Sequence, residues 1–361
     1  MRAGRPRRSG MRTWVPVVLG GLLLGACETA ALGGDTGELP MNALDPAGPI
    51  ARLQDNLWNV VFPIAVFVFV LVQGLILFAV FRFRDRGDGT PPRQVAGNTR
   101  LEVLWTIIPA LILAGIAVPT VRTIFELADP PAEDALIVEV VGKQYWWEFT
   151  YRTEQDPADD VVTANELHIP TGREVYIELN GRDPESGVDV IHSFWIPRLA
   201  GKADYVPGHT RTMRIAADEP GTYPGQCAEF CGLSHANMKM VVVAHDPAEF
   251  DEWFAHQAEP ADAEVDGQIA EGAEIVGQQC VGCHAVDGLE TSAGVQIAPN
   301  LTHFALRERF AGYILDTTAD NLHAWITDPQ DLKPGAQMPA FGESLTSEQI
   351  DAVVAYLQTL E

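Results

Sequence analysis

Two uninterrupted apolar runs set the first limit on how this chain folds. Residues 57–81 carry no charge and are broken only by Asn59, Pro63, Gln73 and Gly74, and residues 103–121 again contain no charged side chain. At about 1.5 Å per residue, either run as a helix crosses a bilayer core of about 30 Å. In lipid each backbone polar group must be satisfied within its own segment, so a helical transmembrane hairpin over residues 50–128 follows. The connection holds Arg82, Arg84, Arg86, Arg93 and Arg100 against Asp85 and Asp88. Positive loops stay in the cytoplasm, which puts both flanking regions on the outer side.

The first 27 residues agree with that orientation. Arg2, Arg5, Arg7, Arg8 and Arg12 precede an apolar run from Trp14 to Ala26, too short to span a membrane and suited to a cleaved signal peptide. Its end, Leu24-Gly25-Ala26-Cys27, resembles a bacterial lipoprotein box, which implies lipidation of Cys27. Ordinary cleavage at a nearby small residue, with Cys27 left free, is the alternative. Residues 28–48, rich in Gly, Ala, Asp and Pro, form a flexible spacer. A net charge of −25 over 361 residues excludes nucleic acid as a partner and leaves room for two or three domains.

From residue 130 to 250 the hydrophobic period shifts to two. Leu136–Gly142 and Val175–Leu179 read as short strands, and an antiparallel β-sandwich accommodates them. Within it, Cys227, Glu229, Cys231, His235 and Met238 fall inside twelve positions. Thiolate and thioether select soft metals and imidazole suits copper or zinc, so the mixture points to copper. His192 lies upstream in Ile191-His192-Ser193-Phe194-Trp195-Ile196-Pro197, followed by polar turns, where a loop ligand on one hairpin can meet a cluster on a later one. Two Cys, two His and one Met exceed the needs of one copper ion, and two ions sharing bridging thiolates would use them all. A Cys227–Cys231 disulfide would need neither His235 nor Met238. Met240 opens an apolar strand and reads as core.

His192 followed by Cys227-x-Glu229-x-Cys231-x-x-x-His235-x-x-Met238 resembles the binuclear CuA site of cytochrome c oxidase subunit II. The resemblance implies a cupredoxin-like sandwich with Cys227 and Cys231 as bridging thiolates, His192 and His235 as terminal ligands, Met238 as a weak ligand and the Glu229 carbonyl as another. It also implies that the Glu229 carboxylate faces a magnesium ion shared with subunit I, a region Asp204 could reach too. Glu102, at the start of the second apolar helix, would stand at the entrance of a proton path into subunit I. Helix-dipole stabilisation explains a glutamate there equally well. The aromatic cluster Tyr145, Trp146 and Trp147 would carry electrons toward the copper. Oxidases served by a free cytochrome c usually have tryptophan where Tyr145 stands, so the usual docking site is in doubt here.

After Val243 the pattern turns helical through Asp251-Glu252-Trp253-Phe254 and breaks over residues 258–264, so that residues 251–266 are assigned as the linker to a last domain, residues 267–361. It contains Cys280-x-x-Cys283-His284, the attachment signature of c-type haem, with His284 as proximal iron ligand. Pro299 follows where cytochromes of this class orient the proximal imidazole through a carbonyl. Met338 is the distal candidate, and His303 and His323 are the alternatives. An all-α cytochrome c domain results. From Asp262 onward it holds 16 Asp and Glu against 3 Lys and Arg, so its electron donor is not strongly acidic.

The resemblance therefore covers the chain from about residue 50 to its end, as subunit II with a class I cytochrome c domain fused behind it, as in caa3-type haem–copper oxidases. It implies a bacterial inner-membrane protein whose copper and cytochrome domains are periplasmic. Electrons from a cytochrome c or a bc-type complex would pass from haem c to binuclear copper, then to haem in subunit I for proton-pumping oxygen reduction. Subunits I and III would be its partners. The remaining histidines are scattered, so oxygen reduction belongs to another chain. A membrane-anchored electron carrier or copper-handling lipoprotein without an oxidase partner is the rival reading.

Overall fold

The computed structural model describes residues 41–84, 94, 96–153, 160–181, 190–261, 266–289 and 297–361. The signal segment, Cys27, most of the spacer, Arg86 and Arg93 lie outside these residues.

Helix α1, Pro49–Arg82, opens on a proline, whose missing N–H costs nothing in a first turn. Helix α2, Thr99–Leu127, is capped by Asn98, whose side chain accepts from the amides of Arg100 and Leu101. Their apolar windows have mean hydropathies of 2.9 and 2.2, and none of either window is buried against protein. Both helices are rooted in the sandwich. Ile50 and Ala51 are buried, Arg52 pairs with Asp218, and Arg214 donates to the Glu126 carbonyl while pairing with Glu174 at 3.1 Å.

Ten strands follow: β1 Leu136–Lys143, β2 Trp146–Tyr151, β3 Val161–Ala164, β4 Glu166–Pro170, β5 Val175–Asn180, β6 His192–Trp195, β7 Lys202–Tyr205, β8 Thr210–Ile215, β9 Gly221–Cys227 and β10 Lys239–His245. They form two five-stranded sheets, ordered β3-β2-β1-β5-β8 and β4-β10-β9-β6-β7. The sandwich is not wholly antiparallel as the short-strand pattern predicts: β1 runs parallel to β5, and β10 parallel to β4. Tight hairpins force antiparallel neighbours only for strands joined directly, such as β1 and β2 or β6 and β7. Strands that meet after the chain has crossed between sheets escape that constraint. Alternate residues such as Val138, Val140, Leu167, Ile169, Ile177 and Leu179 have no exposed surface and fill the space between sheets. Each such burial is worth roughly 1.5–3 kcal/mol.

Helix α3, Pro247–Gln257, packs Trp253 and Phe254 on the Tyr151 ring, with centroids 5.5 and 6.0 Å apart. The helical pattern expected through Phe254 is present and runs on to Gln257, so the linker begins after residue 257 rather than at 251, because two aromatic rings on the helix find apolar cover there.

The last domain is helical: α4 Gly267–Gln279, α5 Ala319–Thr327, α6 Pro329–Leu332 and α7 Ser347–Leu357. Helices α4 and α7 cross at Gly272, where a Cβ would stand 2.0 Å from the Ala352 carbonyl oxygen. Only glycine allows that approach. A reciprocal capping box of Thr346 and Gln349 opens α7.

Candidate functional site

The metal-ligand candidates converge at one end of the sandwich. Strand β6 pairs with β9 through Phe194 and Cys227, which sets His192 beside the end of β9. The loop after β9 folds back so that Cys227 N–H donates to the Met238 carbonyl at 2.9 Å, and a 3₁₀ turn, His235–Asn237, precedes β10. The Cys227 and Cys231 sulfurs are 4.0 Å apart. His192 Nδ1 lies 3.8 Å from Cys227 Sγ, and His235 Nδ1 lies 3.8 Å from Cys231 Sγ. Met238 Sδ is 3.8 Å from Cys231 Sγ, and Cys227 donates to the Glu229 carbonyl at 3.2 Å.

This spacing is not a disulfide, which would hold the sulfurs near 2.05 Å. It is close to twice a metal–thiolate bond of about 2.3 Å, so both sulfurs can reach one ion between them. Electrostatics agree. The hydrogen bond between the two sulfurs holds Cys227 below the ordinary thiol range and pushes Cys231 above it, and burial opposes the second ionisation further. Two adjacent buried thiolates need cations. His192 Nε2 is buried with no hydrogen-bond partner among the described residues. The donor set fits copper.

The other sequence candidates divide by position. Met240 is core, 1% exposed. The Glu229 carboxylate accepts from the Phe230 amide at 3.2 Å, and Asp204 accepts from Ser193 Oγ at 2.9 Å. Glu102 accepts from the Asn98 amide at 3.3 Å at the start of α2. Strand alternation divides Trp146 from Trp147, and Tyr145 stands in the turn before β2. Trp147 points inward and meets the His192 ring edge-on at 5.7 Å, whereas Tyr145 and Trp146 line a cavity on the other side.

That cavity, of about 270 Å³, lies mostly in the helical domain. Cys280, Cys283 and His284 form part of its wall together with Met338, and apolar side chains such as Leu301, Phe304 and Ile326 line the rest. His284 Nδ1 bonds the Pro299 carbonyl at 2.7 Å, which leaves Nε2 as the coordinating nitrogen. Burial holds this imidazole below its ordinary range, hence neutral, as a metal ligand must be. Burial also pushes Cys280 up to about 11, the opposite of a reactive dithiol motif. His303 instead turns to the Glu259 carbonyl at 3.0 Å and His323 to Ser347 at 3.0 Å, and neither lines the cavity. The wall suits a haem.

Sequence reasoning named Tyr145 but missed the other residues that join the two sites. Gln144 donates to the Cys231 carbonyl at 2.6 Å, and the Tyr145 hydroxyl accepts from the Leu233 amide at 2.9 Å. Both also line the cavity. Lys333, 3% exposed, donates to the Tyr145 carbonyl at 2.6 Å and the Ala311 carbonyl at 2.7 Å. Burial pushes its ammonium down to about 7, against the opposing pull of Cys231. Arg307 is a half-buried cation in the cavity wall, donating to the Asn300 carbonyl. Its place there was hidden because Arg-Glu-Arg reads as a solvated turn.

The chain matches three family descriptions in order: the transmembrane domain of cytochrome C oxidase subunit II over residues 38–123, the periplasmic domain of the same subunit over 136–245, and cytochrome c over 269–361. It is 39% identical to cytochrome c oxidase subunit 2 of Alkalihalophilus pseudofirmus, across 92% of this chain and 94% of the relative. The proteins of the same description from Bacillus sp. strain PS3 and Bacillus subtilis are 36% and 34% identical, each covering 89% of this chain and 92% of the relative. The membrane hairpin, the thiolate-rich centre on the sandwich and the adjoining cytochrome cavity of this chain thus stand in the order of the three family descriptions. The chain belongs to the cytochrome c oxidase subunit II family, the part of a haem–copper oxidase through which electrons enter.

Proposed function

We propose that this chain receives electrons at a covalently bound haem c in the 267–361 domain and passes them through a binuclear copper centre toward haem in subunit I. The observation that carries this reading is the pair of thiols 4.0 Å apart, flanked by two imidazole Nδ1 atoms and a thioether at 3.8 Å. Cys227 and Cys231 would bridge, His192 and His235 would close the two ends, and Met238 with the Glu229 carbonyl would complete the set. Cys280 and Cys283 would attach the haem, with His284 and Met338 as axial ligands. Bound there, the copper pair and the haem supply one-electron carriers whose rigid ligation keeps reorganisation small.

The chain's own residues do the rest. Trp147 and Tyr205 bracket the His192 ring edge-on, at 5.7 and 5.6 Å, and fix its orientation. Pro299 fixes the tautomer of His284. Gln144 and Tyr145 form the protein bridge between cavity and copper loop. The Glu229 carboxylate and Asp204 would serve a magnesium site against subunit I, and Glu102 the mouth of a proton path there. An inner-membrane location with the Arg-rich turn in the cytoplasm follows from the charge asymmetry. A lipidated Cys27, partnership with subunit III and a non-acidic donor, either a cytochrome c or a bc-type complex, complete the proposal.

The test is purification of the tagged chain from membranes. Co-purification with a haem-bearing membrane subunit, and oxygen consumption lost in a Cys227→Ser variant, is the expected result. A chain that purifies alone with its metals in place would overturn the oxidase assignment.

A further inference from the structure

The cytochrome domain is not merely tethered. Polar contacts among the described residues cross from it to the copper domain, including Lys239 N–H to the Gly312 carbonyl at 2.9 Å, Glu308 and Arg309 N–H to the Glu166 carboxylate at 3.1 and 3.5 Å, Ser234 Oγ to the Pro334 carbonyl at 2.6 Å, and Lys333 Nζ to the Tyr145 carbonyl at 2.6 Å. Lys333 differs from the others in kind. It is the sole lysine in the sequence after residue 239, in a domain with three cations in all. It is buried, and its Nζ ties one carbonyl of each domain together, Tyr145 from the copper side and Ala311 from the cytochrome side. A buried polar nitrogen without such partners is costly, so the closed seam holds Lys333 only with both carbonyls in place. The surrounding packing is close. A Cβ on Gly312 would stand 2.3 Å from Lys333 Nζ and 2.8 Å from the Tyr145 carbonyl oxygen.

The carbonyl that Lys333 grips belongs to the residue whose side chain lines the haem cavity and whose hydroxyl holds the Leu233 amide of the copper loop. Next to it, Gln144 holds the Cys231 carbonyl. We infer that Lys333 is a positioning residue for electron transfer, a clamp that fixes the cytochrome cavity on the Gln144–Tyr145 bridge and so keeps the haem and copper sites in one rigid register. The inference rests on the proposed electron path for what moves, and on this seam alone for what holds it. It also explains why Tyr145 can replace an exposed tryptophan: the chain's own cytochrome domain covers that face, and Tyr145 is 6% exposed.

The test compares the full chain, loaded with copper and haem in its oxidase, with Lys333→Met, which keeps the length and removes the two hydrogen-bond donations. Two readouts are taken. Hydrogen exchange follows the seam amides of Lys239 and Glu308, with Val242 inside the copper sheet as control. Flash reduction of the haem gives the haem-to-copper rate, alongside the two midpoint potentials. Faster exchange at the seam, unchanged exchange at Val242, unchanged potentials and a rate lowered about tenfold or more, in proportion to the docked fraction lost, are expected. An unchanged rate overturns the positioning role, as does a shift in potential large enough to account for the loss. Should Lys333→Met fail to accumulate, Gly312→Ala wedges the same seam from the other side and is judged by the same results. A wild-type chain that takes up no copper would instead sink the electron path, and the clamp would then stand or fall by the exchange pattern alone.

Discussion

Gly142 sits in β1 directly behind a copper-ligand candidate. A Cβ placed there would stand 2.9 Å from His192 Cδ2, 3.0 Å from its Cγ and 3.1 Å from Trp147 Cζ3. Ordinary carbon–carbon contact begins near 3.5 Å, so Gly142→Ala asks the imidazole to retreat by roughly half an ångström. It has nowhere to go. His192 has no exposed surface, and the Trp147 and Tyr205 rings stand edge-on to it at 5.7 and 5.6 Å. Overpacking of this kind costs about 1–3 kcal/mol of stability. Moving the ring also misdirects Nδ1, and disturbing the support of a metal ligand typically costs about 10–100-fold in metal affinity. Urea unfolding followed by near-UV circular dichroism measures the first effect, and copper titration against a chelator the second. A variant within about 0.5 kcal/mol of wild type, at the level of a neutral surface change, and with unaltered copper affinity would refute the claim that Gly142 backs the centre.

Gly272→Ala places a Cβ 2.0 Å from the Ala352 carbonyl and forces α4 away from α7; the expected loss is about 1–3 kcal/mol or more in the cytochrome domain, read by thermal unfolding with haem absorbance, leaving copper uptake unchanged. Copper loading of the apo chain should release protons near neutral pH, because the Cys231 thiol is held above the ordinary range while Cys227 is held below it; a pH-indicator titration showing no release would contradict this. Lys333 titrates near 10.4 in water and about 7 when docked. Between those values the open form binds more protons, so docking should strengthen as pH rises from about 7 toward 10 and lose its dependence below about 7. Exchange at the Lys239 amide measured across that range checks the sign.

The copper loop was legible because its ligands are close in sequence and one turn presents them together. His192 was legible as a candidate on a separate hairpin, but the pairing of Phe194 with Cys227 that brings it across from β6 was not. The haem signature was legible for the same local reason, and the neighbouring Trp146 and Trp147 could have been divided by strand period alone. Gly142 carried a readable signal too: an isolated glycine inside a strand often marks a close approach. The seam was hidden. Lys333, Gln144 and Glu166 look like surface and turn residues along the chain, and their burial arises from contacts between residues as far apart as Lys333 and Tyr145. The two parallel strand pairings were likewise set by crossings between sheets that periodicity does not encode.

The most direct measurement is electron paramagnetic resonance and near-infrared absorption of the oxidised full chain, with copper and haem counted per polypeptide. Two copper ions sharing one delocalised unpaired electron, beside one low-spin haem attached through thioethers, are expected from thiols 4.0 Å apart with matched imidazoles. A single copper ion with a localised signal, or zinc in its place, would contradict the binuclear centre and make this a metal-handling protein.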